Sequence, residues 1–233
     1  MSNYKTVFFI LGILQIILGA SMIFPIITQF IFEEIDSSFI SASIITVIFG
    51  ILFFLSNFEN DKKLNLQHAF LLTSLSWISV AIFGSLPFFF SDLNLSITDS
   101  FFESMSGITT TGSTIITDLN SAPKAILVWR AILQWLGGIG IIVMAITLMP
   151  IMNVGGMQLL KVSTSDASEK ILPKTKEITI RIIIIYLVLT FFCALFYKIF
   201  GMKFFDSLTH SMTTIATGGF SNYNDSIGHF NNL

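Results

Sequence analysis

Two short stretches rich in threonine and glycine carry the residue types and spacing that could do chemistry. Asp99-Ser-Phe-Phe-Glu-Ser-Met-Ser-Gly-Ile-Thr-Thr-Thr-Gly112 aligns with Asp206-Ser-Leu-Thr-His-Ser-Met-Thr-Thr-Ile-Ala-Thr-Gly-Gly219 at an offset of 107 residues with no gap. Seven of the fourteen positions are identical, including Asp99/Asp206, Ser104/Ser211, Thr110/Thr217 and Gly112/Gly219. Each copy reads as an acidic residue, a helix of two to three turns and a closing Thr/Gly segment. The spacing predicts that Asp99 and Asp206 cap their helices, each carboxylate accepting from the first free backbone N–H groups. Repeated Thr, Ala and Gly let several carbonyls point one way about a narrow axis, because glycine tolerates backbone angles that other residues avoid. Such carbonyls can replace the hydration shell of a cation, and the negative C-terminal end of a short helix favours the same charge. The residues alone leave two readings open: a pair of pore helices with filter segments, or two amphipathic outer loops packed on a bundle.

The elements that must hold these stretches are apolar. Of 233 residues, 53% are hydrophobic and only 11% charged, and phenylalanine alone contributes 25. Soluble domains carry about a quarter of their residues as charges, so a free-standing soluble enzyme and a disordered chain are both excluded. Twelve basic against fourteen acidic residues give a formal charge of −2, which does not fit a nucleic-acid binder, and no nucleic acid is expected as a partner. The single cysteine, Cys193, cannot form an intrachain disulfide or a cysteine metal cluster. What remains is an integral membrane protein.

A bilayer-crossing helix needs about 20 apolar residues. Cutting the sequence at its charges predicts five spans, over residues 6–32, 38–58, 66–90, 126–149 and 178–200. The first apolar run is too long for the core of a signal peptide. With the N-terminus inside, inner segments hold Lys5, Lys62, Lys63, Lys161, Lys170, Lys174, Lys176 and Arg181, against Lys124, Arg130, Lys198 and Lys203 outside. This asymmetry favours a cytoplasmic N-terminus. Both Thr/Gly stretches then lie on the outer side, where irregular backbone survives at membrane depth only if it is buried in protein or lines a water-filled path. The pattern span, short helix, filter, span divides the chain into an N-terminal hairpin (1–62), a first pore repeat (63–160) and an incomplete second one (161–233).

Four motifs carry a family resemblance. They are Ser104-Met-Ser-Gly-Ile-Thr-Thr-Thr-Gly-Ser-Thr114, Trp129-Arg-Ala-Ile-Leu-Gln-Trp-Leu-Gly-Gly-Ile-Gly140, Asn153-Val-Gly-Gly-Met-Gln-Leu159 and Thr213-Thr-Ile-Ala-Thr-Gly-Gly-Phe-Ser221. In this order they resemble the Trk/Ktr potassium-transporter superfamily, specifically the N-terminal half of a Trk-type membrane subunit. The resemblance implies an all-α polytopic membrane protein of a bacterial inner membrane, with four span–pore helix–filter–span repeats of which two are present. It implies potassium uptake through backbone carbonyls of Thr110 and Thr111 in the first repeat and of Thr217 and Gly218 in the second, with Gly112 and Gly219 as the filter glycines. Ser113 and Phe220 agree with the residue types that often follow. Potassium is cargo, and proton or sodium coupling would make the protein a symporter; no cofactor and no enzymatic activity are expected. The resemblance further implies a cytoplasmic nucleotide-binding regulatory subunit. A ring of four segments needs a missing C-terminal half or a second copy in a homodimer, and a non-conducting assembly subunit is the alternative.

Two further residues and one glycine-rich run have bland expectations. Arg130, near the outer end of its span, is expected to snorkel to the interface. His210 occupies the place of Glu103 in the second copy and is expected to pack or hydrogen-bond rather than bind metal. Gly137-Gly138-Ile139-Gly140 lies within a span and is expected to permit close helix packing rather than to cradle a nucleotide.

Overall fold

In lipid every backbone polar group must be paired internally, so the long apolar stretches fold as helices. The structure, a computed structural model, describes residues 4–34, 36–57, 66–152 and 167–230. In chain order these form α1 (Lys5–Ser21), α2 (Ile23–Ile31), α3 (Ser38–Ser56), α4 (Leu66–Phe90), α5 (Ile97–Ile108), α6 (Lys124–Met152), α7 (Ala167–Ile199), α8 (Phe204–Ile215) and a 3₁₀ turn, Ser226–His229. The described residues contain no strand. Five segments are long and apolar enough to cross a membrane: Lys5–Ile31, Ser38–Ser56, Gln67–Phe90, Lys124–Ile146 and Glu177–Ile199. They fall within a few residues of the five predicted spans.

The first span is broken into α1 and α2 at Met22. Pro25 accounts for the break, because it has no N–H to donate and its ring crowds the carbonyl four residues earlier, that of Ser21. Small residues let α1 and α3 approach closely: a β-carbon on Gly12 would lie 2.6 Å from the backbone nitrogen of Phe54 and 2.8 Å from the carbonyl oxygen of Gly50. Side chains tie the hairpin to the rest of the chain: Gln15 of α1 donates from Nε2 to the hydroxyl of Ser79 in α4 at 2.7 Å. Glu34, just past the end of α2, accepts from the backbone amides of Lys124 and Ala125 at the start of α6. A carboxylate there satisfies two orphan donors and faces the positive end of the helix dipole.

The core gathers on the N-terminal half of α6. Ala125, Ile126, Leu127, Trp129, Ile132 and Leu133 are buried against Leu18, Met22, Phe39, Ala42 and Phe88. Trp129 donates from Nε1 to the carbonyl of Gly84 at 2.9 Å and meets Phe39 edge-on. Both short helices pack on α6, α5 from between α4 and α6 and α8 from between α7 and α6. The helix α6 is therefore the element that the two Thr/Gly segments share.

Candidate ion filter

Both short helices begin by rules other than the predicted one. In α5 the cap is Ser96, whose Oγ accepts from the amide of Asp99 at 3.1 Å and donates to the Asp99 carboxylate at 2.7 Å. This is a serine cap whose hydroxyl bonds both the amide and the carboxylate of the third helical residue. In α8 the cap residue Lys203 makes no side-chain bond. Asp206 instead accepts from Nδ2 of Asn222 at 2.8 Å and from the hydroxyl of Tyr223 at 3.1 Å, so it holds the chain that follows the second Thr/Gly segment.

The helices end alike. The amide of Thr110 donates to the carbonyl of Gly107 and that of Thr111 to Ser106; the amide of Thr217 donates to Thr214 and that of Gly218 to Thr213. All four bonds are 2.9 Å long and repeat at the offset of 107 residues. Each pair closes a helix through a left-handed residue, here a threonine with φ of 56° in both copies. A β-branched residue in that region costs about 1–2 kcal/mol, and the same strain is stored twice. The second left-handed residues, Gly112 and Gly219, have φ of 81° and 79°.

The two segments meet. A β-carbon on Gly112 would overlap the carbonyl oxygen of Gly218, so only glycine fits between them. Contact is one-sided: nothing lies within 4 Å of a β-carbon built on Gly219. Among the described residues, the carbonyls of Thr110, Thr111, Gly112, Thr217, Gly218 and Gly219 accept no hydrogen bond. Behind them, Gly137 and Gly138 of α6 admit the ends of both short helices, since a β-carbon on Gly137 would overlap the carbonyl of Ile108 and one on Gly138 would lie 3.0 Å from Cα of Ala216. The expected close packing through this glycine run holds at Gly137 and Gly138, whereas nothing lies within 4 Å of a β-carbon built on Gly140. Two negative helix ends are thereby brought to one place, and each contributes about half a charge.

A buried ion pair braces the first segment against the second. Glu103 of α5 is fully buried and accepts from Nε of Arg130 at 2.7 Å, from the hydroxyl of Thr114 at 2.9 Å and from the amide of Ile115 at 2.9 Å. Arg130 is only 1% exposed. Its Nη1 donates to the carbonyl of Ser221 at 2.8 Å, and its guanidinium lies 4.1 Å from the centre of the Phe220 ring. The expectation that Arg130 snorkels is therefore corrected: the charge stays inside the protein because a carboxylate pairs with it and a carbonyl accepts from Nη1, while Nη2 is buried with no hydrogen-bond partner among the described residues. His210, aligned with Glu103, bonds the hydroxyl of Ser221 at 3.2 Å and the carbonyl of Asp206 at 2.9 Å. Ser221 aligns with Thr114, so the two braces repeat as well. Among the described residues no group of three His, Cys, Asp or Glu side chains is placed to hold a metal ion.

Glu103 and Gln134 enter the site without having been expected there. A signal existed in each: Glu103 is a carboxylate past the first turn of a mostly apolar or hydroxyl-bearing helix, and Gln134 is a polar side chain in the charge-free run that follows Arg130. The motif Asn153–Leu159, with Gly155-Gly156, lies outside the described residues, as do Lys62, Lys63, Lys161 and both repeat boundaries.

Fold and site define a class: an all-helical, multi-pass membrane protein in which span, short helix and Thr/Gly segment occur twice around a shared inner helix. Known proteins place it within that class. The family model described as "TrkH: Cation transport protein" matches residues 35–233, and the chain belongs to that family. The Trk system potassium uptake protein TrkH of Halomonas elongata is 41% identical over 225 residues, covering 95% of this chain and 47% of that protein. Its Escherichia coli K12 counterpart is 39% identical, covering 98% and 48%. The crystal structure of the potassium transporter TrkH from Vibrio parahaemolyticus superposes with a TM-score of 0.86 at 34% identity, over 98% of this chain and 46% of that one. The chain spans about half the length of the relatives it matches.

Proposed function

We propose that this chain supplies two of the four filter segments of a potassium uptake pathway. Potassium sheds water at the carbonyls of Thr110, Thr111, Gly112, Thr217, Gly218 and Gly219 and moves inward across a bacterial inner membrane whose cytoplasmic face carries the N-terminus. The observation that carries this reading is the fit of Gly112 against the Gly218 carbonyl, beside six carbonyls with no protein donor among the described residues. Backbone oxygens left free at the negative ends of two helices are suited to a monovalent cation. Moving one charge inward gains ~2.3 kcal/mol per 100 mV of potential. No bond is made or broken, so the protein is not an enzyme, and potassium is its cargo rather than a cofactor.

The one-sided contact supports completion by further repeats. Gly112 of the first repeat meets the second at Gly218, whereas the aligned pair, Thr111 and Gly219, does not reciprocate. Such head-to-tail contacts generate rings when the rotation closes. Two more segments come from a C-terminal half or from a second copy of the chain in a homodimer, and a nucleotide-binding subunit regulates the whole from the cytoplasm. A second reading, a non-conducting assembly subunit, is favoured by one fact: two segments alone cannot surround an ion.

Growth of potassium-uptake-deficient bacteria on limiting potassium tests both readings. The chain is expressed alone and together with the C-terminal half of a TrkH relative. Rescue that Gly112→Ser converts to sodium-sensitive uptake supports the filter. No rescue in either pairing contradicts it, and rescue with selectivity unchanged in Gly112→Ser removes the filter assignment.

A further inference from the structure

Gln134 stands on α6 one turn deeper than Arg130, and its side chain is fully buried. Its Oε1 accepts from the amide of Phe220 at 3.1 Å, which sets the orientation of the amide group. The other end of that group faces the filter. A β-carbon on Gly218 would overlap the Gln134 amide, and one on Gly112 would lie 3.8 Å from Nε2. That nitrogen is buried with no hydrogen-bond partner among the described residues. An orphan buried donor is costly, and a leucine or methionine would fill the same space without it. Packing alone therefore does not account for glutamine here.

The surroundings assign it a mechanical task. The amide bears on Gly218, so the second segment cannot retreat toward α6. The bond to Phe220 N–H keeps it from advancing, and one residue further on Arg130 holds the carbonyl of Ser221 at 2.8 Å. All three contacts cross from the inner helix of the first repeat to the filter of the second.

We propose that Gln134 is a selectivity-determining positioning residue: it fixes the distance between the Gly218 carbonyl and Gly112, and so the size of cation that the carbonyls fit. The inference rests on the filter reading above and adds the part that sets its dimension. A segment released from this spacer closes around a smaller ion.

The test uses the assembly that rescues growth, and reads potassium uptake against sodium uptake together with the amount of protein in the membrane. Gln134→Leu and Gln134→Met, which lack the acceptor, are expected to lower the potassium-over-sodium ratio about tenfold, the factor that one hydrogen bond contributes. Gln134→Glu retains the acceptor for Phe220 and is expected to keep the ratio. Unchanged ratios in both apolar variants, with Gly112→Ser altered, overturn the role of Gln134 and leave the filter standing. Unchanged ratios in all of them, Gly112→Ser included, overturn the filter as well. If both apolar variants fail to accumulate while Gln134→Glu accumulates normally, Gln134 is a folding residue and the proposal falls.

Discussion

Thr110 and Thr217 share a φ of 56°, and Gly112 and Gly219 lie at 81° and 79°, yet the two Thr/Gly segments are held by different chemistry. The first is anchored by charge: Glu103 collects Arg130, a hydroxyl and a backbone amide in a fully buried site. The second has no ion pair of its own among the described residues: His210 and Gln134 hold Ser221 and Phe220, the Asp206 carboxylate takes Asn222 and Tyr223, and Arg130 reaches across to the Ser221 carbonyl. Backbone shape is thus repeated where carbonyls must be presented, and side-chain chemistry diverges behind it. The difference teaches that the repeat keeps geometry at the oxygens and leaves the bracing free to vary, with Arg130 bonded to both sides.

That asymmetry has measurable consequences. Arg130→Met leaves the Glu103 carboxylate buried without its cation, and losing one partner of a buried pair costs about 3–5 kcal/mol. The expected outcome is a large drop in melting temperature in detergent; a drop no larger than that of His210→Phe would erase the distinction between the charged and uncharged braces. Next in size is Gly112→Ala, where overlap with the Gly218 carbonyl adds about 1–3 kcal/mol of overpacking to the left-handed strain. Gly219→Ala meets no neighbour within 4 Å in this chain and is expected to cost only the strain, about 1–2 kcal/mol. Equal melting temperatures for these two variants would contradict the one-sided contact. Smallest is Glu34→Gln, which weakens the tie between the hairpin and α6 by about 1 kcal/mol and leaves both segments untouched; thermal melting with unchanged ion selectivity is the expected pair of results.

Much of this arrangement was legible in the residues. Charge-free runs located all five spans, because a bilayer allows few other ways to bury such a sequence, and the matched stretches located both helix ends. What escaped was whatever depends on contacts between distant elements. Pro25 gave a local reason for a break that hydropathy averages over. The burial of Arg130 depends on Glu103, on a different helix, and no period along α6 reveals that partner. The caps differ from expectation because Ser96 precedes Asp99 and takes the capping position, while Asp206 is drawn toward Asn222 and Tyr223 by the fold of the chain after the second Thr/Gly segment. Gln134 was invisible for a similar reason, since its meaning lies in the glycine it touches across the repeat.

The faces of the spans sharpen the same contrast. The apolar crossing of α6 is about half buried, that of α7 only about a tenth; α6 is enclosed by both repeats, while α7 presents Ile184, Ile185, Phe191, Phe196 and Ile199 outward. Lipid or a neighbouring repeat suits that apolar face equally well.

Thallium, a potassium mimic with strong anomalous scattering, offers the most direct measurement. Crystals of the assembled transporter soaked in thallium are expected to give an anomalous peak bounded by the carbonyls of Thr110, Thr111, Thr217 and Gly218. A peak elsewhere along the pathway, with none beside these oxygens, would contradict the account.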